Sequence, residues 1–192
     1  MIAEKWLATA LNQYHPQPMI ANKNEVLAAA LDQTNNWLAS EALGPTAFQI
    51  QLVTQASVRN LASQFEAVAG DRHVDWNWER IFFKKVRHKD AWMYAVINGT
   101  SPNGFCYGKI EVKEKYVSLE YLERAAPIAD LQGRMLQIAF QFARTVALLL
   151  DITEVRLNEP FPALVTYYEE ALGAIRHPAS GEVQYMAVEV QP

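Results

Sequence analysis

Residues 116–173 read YVSLEYLERAAPIADLQGRMLQIAFQFARTVALLLDITEVRLNEPFPALVTYYEEALG, and this stretch decides the fold. Its first part, YVSLEYLE at 116–123, alternates between apolar and polar side chains, which predicts a half-buried strand. Apolar residues then recur at steps of three and four over residues 130–150, which predicts a long amphipathic helix. The β-branched run ITEVRLN at 152–158 predicts a second strand.

A short helix closes this stretch. Pro162 suits the first position of a helix, and Gly173 suits the position just beyond a helix end. A strand, a crossover helix and a returning strand form a βαβ unit, whose two strands are parallel. The stretch therefore predicts one parallel strand pair joined by a long helix.

Further strands are predicted outside this stretch by the same alternation of side chains. They are FQIQLV at 48–53, AWMYAVI at 91–97, FCYGKIEV at 105–112 and VQYMAVEV at 183–190. The turn-rich sequence NGTSPNG at 98–104 makes the two middle strands hairpin partners. The expected fold class is α/β (α+β), with a mixed, mostly antiparallel central sheet that contains the parallel βαβ unit and is flanked by helices.

An N-terminal helical extension is predicted for residues 1–44. Helical periodicity covers residues 3–14 and 24–43, and Asn24 is the expected N-cap of the second helix. The main domain then covers residues 45–192. Four roles stay open for the extension: it packs on the core as extra helices, covers an exposed sheet edge, forms a dimer contact or helps to shape the acceptor site.

Two further segments lie between the first two strands. Residues 57–70 predict a helix that ends at a glycine. Residues 81–87 fit either a strand or the end of a helix. Trp76 and Trp78 come just before that second segment in an aromatic-rich run.

Composition and charge limit the classes of function. The chain has 192 residues, of which 51% are hydrophobic and 20% charged, with a formal net charge of −4, and these values are typical of a globular protein. The densest basic cluster, KKVRHK at 84–89, is short, so no nucleic-acid-binding face is expected. The N-terminal sequence carries mixed charge without a long apolar run, so neither a secretory signal nor a membrane span is expected.

Cysteine and histidine are sparse. Cys106 is the single cysteine, which excludes an intrachain disulfide and favours a reducing compartment, so a cytoplasmic location is expected. The four histidines, His15, His73, His88 and His177, are scattered and form no i, i+4 pair. No metal site is therefore predicted.

The order of these elements resembles the acetyl-CoA-binding half of the GNAT superfamily of N-acyltransferases over residues 90–192. Three motifs carry the resemblance. They are Gly133-x-x-Leu136 at the start of the long helix, Phe142-Ala143-Arg144 inside it and YEEALG at 168–173. The resemblance implies transfer of an acetyl group from acetyl-CoA to a primary amine of a small molecule or a peptide.

The resemblance also implies two contacts for acetyl-CoA. The first is a strand edge that pairs with the pantetheine arm, as an added strand would. Its residues are Leu119, Tyr121, Leu122 and Glu123. The second is a helix start that holds the pyrophosphate, because backbone N–H groups and the helix dipole favour an anion there. Its residues are Gln132, Gly133 and Arg134.

The family signature at this helix start is Arg or Gln, two residues, Gly, one residue, and then Gly or Ala. Gly133 matches the second small position, while Ile128 and Leu131 occupy the other two signature positions. Asp130 adds a negative charge beside the expected pyrophosphate, which Arg134 offsets. The signature is degenerate, and a second interpretation stays open: a catalytically inactive acyltransferase-like module that serves binding or assembly.

Two residues are the catalytic candidates that the resemblance implies. Tyr168 aligns with the tyrosine that protonates the departing thiolate, and a tyrosine pKa of about 10 suits this donor role. Its neighbour Tyr167 is the alternative donor, and both tyrosines equally fit a role in packing the helix on the sheet. Glu120 is the candidate base for the attacking amine, with a solvated strand carboxylate as the other interpretation. Strand alternation predicts that Glu123 points to the opposite face.

Two more patterns allow a functional interpretation. Trp76 and Trp78 either border the acceptor site as a stacking wall or cap a core. The sequence YYEEALG also resembles the helix ending of glyoxalase-type metal enzymes. Those enzymes need a repeated βαβββ module, and the unduplicated helix at 130–150 counts against this interpretation.

Overall fold

The computed structural model describes residues 22–41, 48–71, 74, 76–86, 90–128, 131–178 and 184–191. Within these residues, seven strands form one central sheet. They are β1 (Phe48–Leu52), β2 (Ala91–Asn98), β3 (Ser101–Glu111), β4 (Tyr116–Arg124), β5 (Glu154–Asn158), β6 (Ile175–Pro178) and β7 (Gln184–Glu189). Their spatial order is β1-β2-β3-β4-β5-β7-β6, and every neighbouring pair is antiparallel except β4 and β5, which are parallel.

Helices flank both faces of this sheet. They are α1 (Lys23–Ser40), α2 (Val58–Val68), α3 (Trp78–Ile81), α4 (Arg134–Leu149) and α5 (Val165–Leu172). A π-helix at Phe82–Val86 continues α3, and a 3₁₀ turn at Pro162–Leu164 leads into α5. The predicted mixed sheet with one βαβ unit is therefore confirmed, with α4 as the crossover helix.

Several local expectations need correction. The N-cap of α1 is Asn22 and not Asn24, because the Asn22 side chain accepts a hydrogen bond from the Asn24 backbone N–H at 2.9 Å. The turn between β2 and β3 is only two residues long, since Asn98 pairs with Ser101. The undecided segment after Trp78 is helical. Strand β6 was not predicted, because its four residues, IRHP, carry too short a pattern.

Two apolar cores lie on opposite faces of the sheet. On one face, α1 and α4 cover side chains that include Trp92, Val117 and Leu119. On the other face, α2, α3 and the π-helix cover side chains that include Phe105 and Tyr107. This two-sided burial explains why β2 is apolar along most of its length instead of alternating.

Helix α1 packs on the main core. Val26 and Ala30 are fully buried against it, and the Asn35 side chain pairs with the backbone of Ile50, at 2.7 Å to its N–H and 3.1 Å to its carbonyl. The helix predicted at 3–14 and the boundary predicted between residues 44 and 45 lie outside the described residues.

The described parts of the chain contain no helix that is long and apolar enough to span a membrane. They also contain no group of three or more histidine, cysteine and acidic side chains that is able to hold a metal ion. Cys106 is buried in β3, and burial raises the pKa of its thiol well above the ordinary range. Cys106 is therefore a core residue, without the exposure that a nucleophile needs.

Candidate active site

The two parallel strands separate halfway along their length. Tyr116–Leu119 of β4 pairs with Glu154–Leu157 of β5, and the pairing stops there although β4 continues to Arg124. Among the described residues, no strand pairs with 120–124 on the side that faces β5. We call this opening the fork. It exposes a row of backbone donors and acceptors that an extended ligand is able to use.

A β-bulge lies at the start of the fork. Tyr107 of β3 pairs with Tyr121 and Gly108 pairs with Leu119, so Glu120 is the extra residue on β4. The glycine is required, because a Cβ at Gly108 would lie 2.2 Å from the Trp92 ring and 2.3 Å from the Ser118 carbonyl oxygen. The bulge brings the carboxylate of Glu120 into the opening between the strands.

The bulge also reverses the alternation of β4. Leu119 and Leu122 both pack with the α4 core, whereas Tyr121 packs with the α2 and α3 core. Glu123 accepts a hydrogen bond from the buried indole of Trp78 on that second face. The predicted placement of Glu123 opposite Glu120 is therefore wrong, because simple alternation takes no account of the extra residue.

Glu120 holds the fork together through a polar network. Its Oε1 accepts hydrogen bonds from the Ser118 hydroxyl and from the Asn158 side-chain amide, both at 2.6 Å. Its Oε2 lies 3.6 Å from the Lys109 ammonium, and the Glu120 side chain is 14% exposed. Asn158 ends β5, so this carboxylate joins the two arms of the fork at the point where they separate.

An aromatic wall stands beside Glu120 on the α2 and α3 face. Tyr121 stacks on Tyr107 with ring centroids 5.6 Å apart, and the edge of Trp76 meets Tyr121 at 4.9 Å. The Lys85 ammonium donates a hydrogen bond of 2.6 Å to the Tyr121 hydroxyl. Trp78 lies deeper, stacked on Phe105 at 5.1 Å. Of the two predicted tryptophans, Trp76 lies against the wall and Trp78 is a core residue.

The side chain and the backbone of Glu123 have different roles at this site. Its side chain is 6% exposed, and its Oε2 accepts the Trp78 indole N–H at 2.6 Å. This bond satisfies a buried carboxylate oxygen and a buried donor at once. Only the backbone of Glu123 therefore remains for the ligand-binding edge that was predicted.

Helix α4, which connects β4 to β5, begins just after Gly133. Gly133 is the N-cap in the left-handed conformation, with φ of 76°. Gln132 and Gly133 are exposed, and Arg134 is half-buried. Leu131, at the first small position of the family signature, is fully buried in the core. Asp130 lies outside the described residues.

Two adjacent tyrosines of α5 have different surroundings. The Tyr167 hydroxyl donates a hydrogen bond of 2.8 Å to the Gly133 carbonyl, so it reaches across to the start of α4. Tyr168 packs against the main core, and burial, with a smaller effect from Tyr167, raises the pKa of its hydroxyl. Tyr168 and Glu120 share no hydrogen bond within the described residues.

The network around Glu120 was not anticipated from the sequence. Ser118 is fully buried, and Asn158 is the last residue of a strand. A polar residue at the end of a buried parallel strand was the available signal for Asn158, because ligands bind at such strand ends.

No family model and no curated protein sequence matches this chain. Solved structures do. A probable acetyltransferase from Staphylococcus epidermidis superimposes with a TM-score of 0.54 at 9% identity, over 75% of this chain and 99% of the other. The ribosomal-protein-S18-alanine N-acetyltransferase from Escherichia coli gives 0.55 at 11% identity, over 76% and 95%. A dodecameric spermidine N-acetyltransferase from Vibrio cholerae gives 0.51 at 12% identity, over 74% and 93%.

The chain has the fold of GNAT acetyltransferases. The predicted resemblance is confirmed for the fold. It is not extended to the substrate, because structures with identities this low share a fold without sharing a function.

Two features of this fold lie where the resemblance places its contacts, an open strand edge and the start of the crossover helix. The fork leaves the backbone of residues 120–124 available on the side that faces β5. Helix α4 begins beyond an exposed glycine, and the first N–H groups of a helix have no partner within it. A Cβ at Gly133 would have the Tyr167 hydroxyl as its nearest neighbour, at 3.6 Å. An extended arm with an anionic end fits these residues.

Proposed function

We propose that the protein is an acetyl-CoA-dependent N-acyltransferase that acts on a primary amine. The observation that carries the proposal is the fork, where β4 and β5 separate directly after Leu119 and Leu157. A carboxylate, Glu120, is fixed at that point by two short hydrogen bonds. The fold of acetyltransferases, the open strand edge and the fixed carboxylate together support the proposal.

Acetyl-CoA has two contacts in this proposal. The backbone from Leu119 through Tyr121, Leu122 and Glu123 would pair with the pantetheine amides, and the helix start at Gln132, Gly133 and Arg134 would hold the pyrophosphate. Bound acetyl-CoA supplies the acetyl thioester. The side chain of Leu119 stays in the core, so its contribution is limited to the backbone.

Two side chains would move the protons. Glu120 takes the proton that the amine loses as its nitrogen attacks, through Oε2, which accepts no hydrogen bond from the described residues. Tyr168 gives its proton to the departing thiolate, because its raised pKa keeps the hydroxyl protonated at neutral pH. Tyr167 is the weaker candidate for this donor, since its hydroxyl proton is engaged with Gly133.

The acceptor that we propose is an amine of a small molecule or a peptide. The solved structures with this fold include enzymes named for spermidine and for the alanine of a ribosomal protein, which are amines of these two kinds. A cytoplasmic location and a homodimer belong to the same proposal. The single buried thiol of Cys106 supports the location, because it suits a reducing compartment.

Calorimetry with acetyl-CoA tests the proposal. We expect the wild-type protein to bind, and Glu120→Gln to bind equally well while losing turnover by about a hundredfold. Glu114→Gln changes an exposed glutamate in the turn before β4 and serves as the matched control. Absence of heat with millimolar acetyl-CoA would refute the catalytic function.

That negative result would favour the alternative, an acyltransferase-like module for binding or assembly. Two observations point to it. The buried Leu131 stands where the family signature has a glycine. At the same helix start, the Tyr167 hydroxyl donates a hydrogen bond to the Gly133 carbonyl. Turnover separates the two functions, because a catalytically inactive module transfers no acetyl group to an amine.

A further inference from the structure

A lysine and a tyrosine form a polar pair at the aromatic wall beside Glu120. The Lys85 ammonium donates a hydrogen bond of 2.6 Å to the Tyr121 hydroxyl, and both side chains are half-buried. Tyr121 belongs to β4, whereas Lys85 belongs to the π-helix on the face of α2 and α3. We call these two side chains the donor pair. Only the backbone of Tyr121 takes part in the proposed binding of acetyl-CoA, so the two side chains are available to the acceptor.

The donor pair offers hydrogen-bond donors and a positive charge to a ligand. An ammonium has three N–H donors and no acceptor, and Tyr121 uses one of them. The Tyr121 oxygen accepts this bond, so its own O–H hydrogen remains to donate to another group. Among the described residues, no acidic side chain forms an ion pair with Lys85. The group that fits several donors beside a positive charge is a carboxylate.

Packing fixes the position of the donor pair. The Tyr121 ring stacks on the buried ring of Tyr107 at 5.6 Å, and the edge of Trp76 meets it at 4.9 Å. The π-helix that carries Lys85 is anchored by Phe82, which is buried in the core on this face. Turns of π-helix are frequent at functional sites. The ammonium is therefore held at one place on the wall, unlike that of a lysine in solvent.

The donor pair lies on the same face of the sheet as the carboxylate of Glu120. Lys109, the cation beside Glu120, is two residues beyond Tyr107 on β3, so the side chains of both β3 residues point to one face. Tyr107 stacks on Tyr121, which places Tyr121 on this face too. Glu120 and Tyr121 are consecutive residues, and they share a face because the bulge adds one residue to β4. A small ligand on this face is therefore able to contact both the carboxylate and the donor pair.

The acids on this face already have other partners. Two hydrogen bonds fix Glu120 through Oε1, and the carboxylate of Glu123 accepts the buried indole of Trp78. Neither acid forms an ion pair with Lys85. A polyamine such as spermidine would place further cations beside this ammonium, and like charges repel. A carboxylate would be attracted to it.

We infer that the acceptor is a small amino acid, that is, an amine that also carries a carboxylate. Its amine meets Glu120, and its carboxylate binds the Lys85 ammonium and the Tyr121 hydroxyl. The inference rests on the proposed function and narrows the class of its acceptor. Lys85 is then a residue that determines specificity, because it binds the part of the acceptor that does not react.

Acetyl transfer to a matched series of amines tests the inference. The probes are the unbranched ω-amino acids from glycine to 6-aminohexanoate, each compared with its own amide, which has the same length without the negative charge. We expect the best acid to exceed its amide about tenfold in kcat/KM, as one hydrogen-bonded contact between charged groups implies. Equal values across the series would overturn the inference, and so would spermidine as a better acceptor than every acid.

Calorimetry with acetyl-CoA separates this test from that of the proposed function. A protein that binds no acetyl-CoA lacks the proposed function. A protein that binds acetyl-CoA and acetylates the amides or spermidine, but none of the acids, has the function without this specificity. Binding of acetyl-CoA without transfer to any amine of the series also overturns the inference.

Variants of two neighbouring lysines locate the effect. Lys85→Gln removes the charge but keeps an N–H donor for Tyr121, so the wall should stay intact, which an unchanged melting temperature would show. We expect this variant to raise the KM of the best acid about tenfold, with a much smaller change in kcat, and to abolish the advantage of the acid over its amide. An advantage that survives the substitution would overturn the inference.

Lys84→Gln is the matched control, because Lys84 is the exposed neighbour of Lys85 in the same π-helix. We expect the preference for the acid to be retained in this variant. An equal loss in both variants would overturn the inference, since a general effect of positive charge would then account for the preference.

Discussion

Replacing Gly108 with alanine should damage both the fold and the fork. The added Cβ would lie 2.2 Å from Trp92 Cζ2 and 2.3 Å from the Ser118 carbonyl oxygen, whereas ordinary contacts of a Cβ are 3.4–4 Å. Both distances have to increase by more than an ångström to reach an ordinary contact. The Trp92 ring cannot easily move, because it is stacked on Tyr94 at 5.8 Å and packed against Phe142 at 4.9 Å.

The expected cost follows from this confinement. Overpacking a core typically costs about 1–3 kcal/mol, and a clash with both a buried ring and a backbone carbonyl belongs at the upper end. We therefore expect Gly108→Ala to lower the free energy of unfolding by about 3 kcal/mol. Gly99→Ala is the control, because nothing lies within 4 Å of its added Cβ and only its φ of +60° opposes alanine. We expect about 1 kcal/mol there.

Urea denaturation followed by far-UV circular dichroism measures both variants. A double-mutant cycle with Trp92→Phe identifies the clash, because a smaller ring should relieve part of the loss and give a coupling energy of about 1 kcal/mol. A cost for Gly108→Ala no larger than that of Gly99→Ala would refute the reasoning. So would a coupling energy of zero, since the ring would then not be the obstacle.

Three further changes have defined outcomes. Tyr168→Phe should lower kcat about a hundredfold without changing acetyl-CoA affinity by calorimetry; unchanged kcat would exclude it as the proton donor. The free energy of unfolding should fall between about pH 9 and pH 10, by up to about 1.4 kcal/mol per pH unit, because the Cys106 thiol ionises there only in the unfolded chain. Cys106→Ala should reduce this slope, and an equal slope in the variant and the wild type would contradict the raised pKa of the thiol. Tyrosines with a raised pKa add to the slope above about pH 10. Arg156→Lys should cost about 1 kcal/mol in urea denaturation, because the guanidinium lies 3.8 Å from the Tyr116 ring centroid and 4.5 Å from that of Tyr185; no loss would show that neither ring binds it.

The elements that the sequence predicted correctly are those with long, one-sided patterns. Helix α4 shows this, since its buried residues recur every three or four positions over 16 residues. The parallel pairing of β4 and β5 followed from that helix, because a crossover of this length returns the chain in the same direction. Topology was therefore predictable from periodicity and connection length.

Helix boundaries were less predictable. The helix predicted to begin at 130 begins at Arg134, after Gly133 adopts a positive φ. The β2–β3 turn was expected over residues 98–104, yet Pro102 and Asn103 lie inside β3 and are buried. Pro102 sits next to a register shift between Val96 and Ile97, where a residue without an N–H is tolerated. Pro102 and Asn103, which are residues typical of turns, therefore lie at a β-bulge inside a strand and not in a loop.

The candidate site depends on the β-bulge in β4, which the simple alternation of side chains along a strand does not predict. One extra residue in β4 turns Glu120 into the opening between the strands and moves Glu123 to the opposite side from its expected position. The cause lies on the neighbouring strand, in the absence of a side chain at Gly108. Sequence reasoning on β4 alone cannot detect a bulge that a residue of β3 makes possible.

The same bulge explains why stability and chemistry are coupled in this protein. With regular pairing, β4 would continue alongside β5 and would leave no open edge. The side chain of Glu120 would then point to the face opposite those of its two neighbours in the strand. The pairing with β5 instead ends at Leu119, directly before the extra residue Glu120, whose Oε2 accepts no hydrogen bond from the described residues. β-Bulges and other departures from regular strand pairing are concentrated at functional sites. A change at Gly108 should therefore reduce turnover by more than its effect on stability alone predicts.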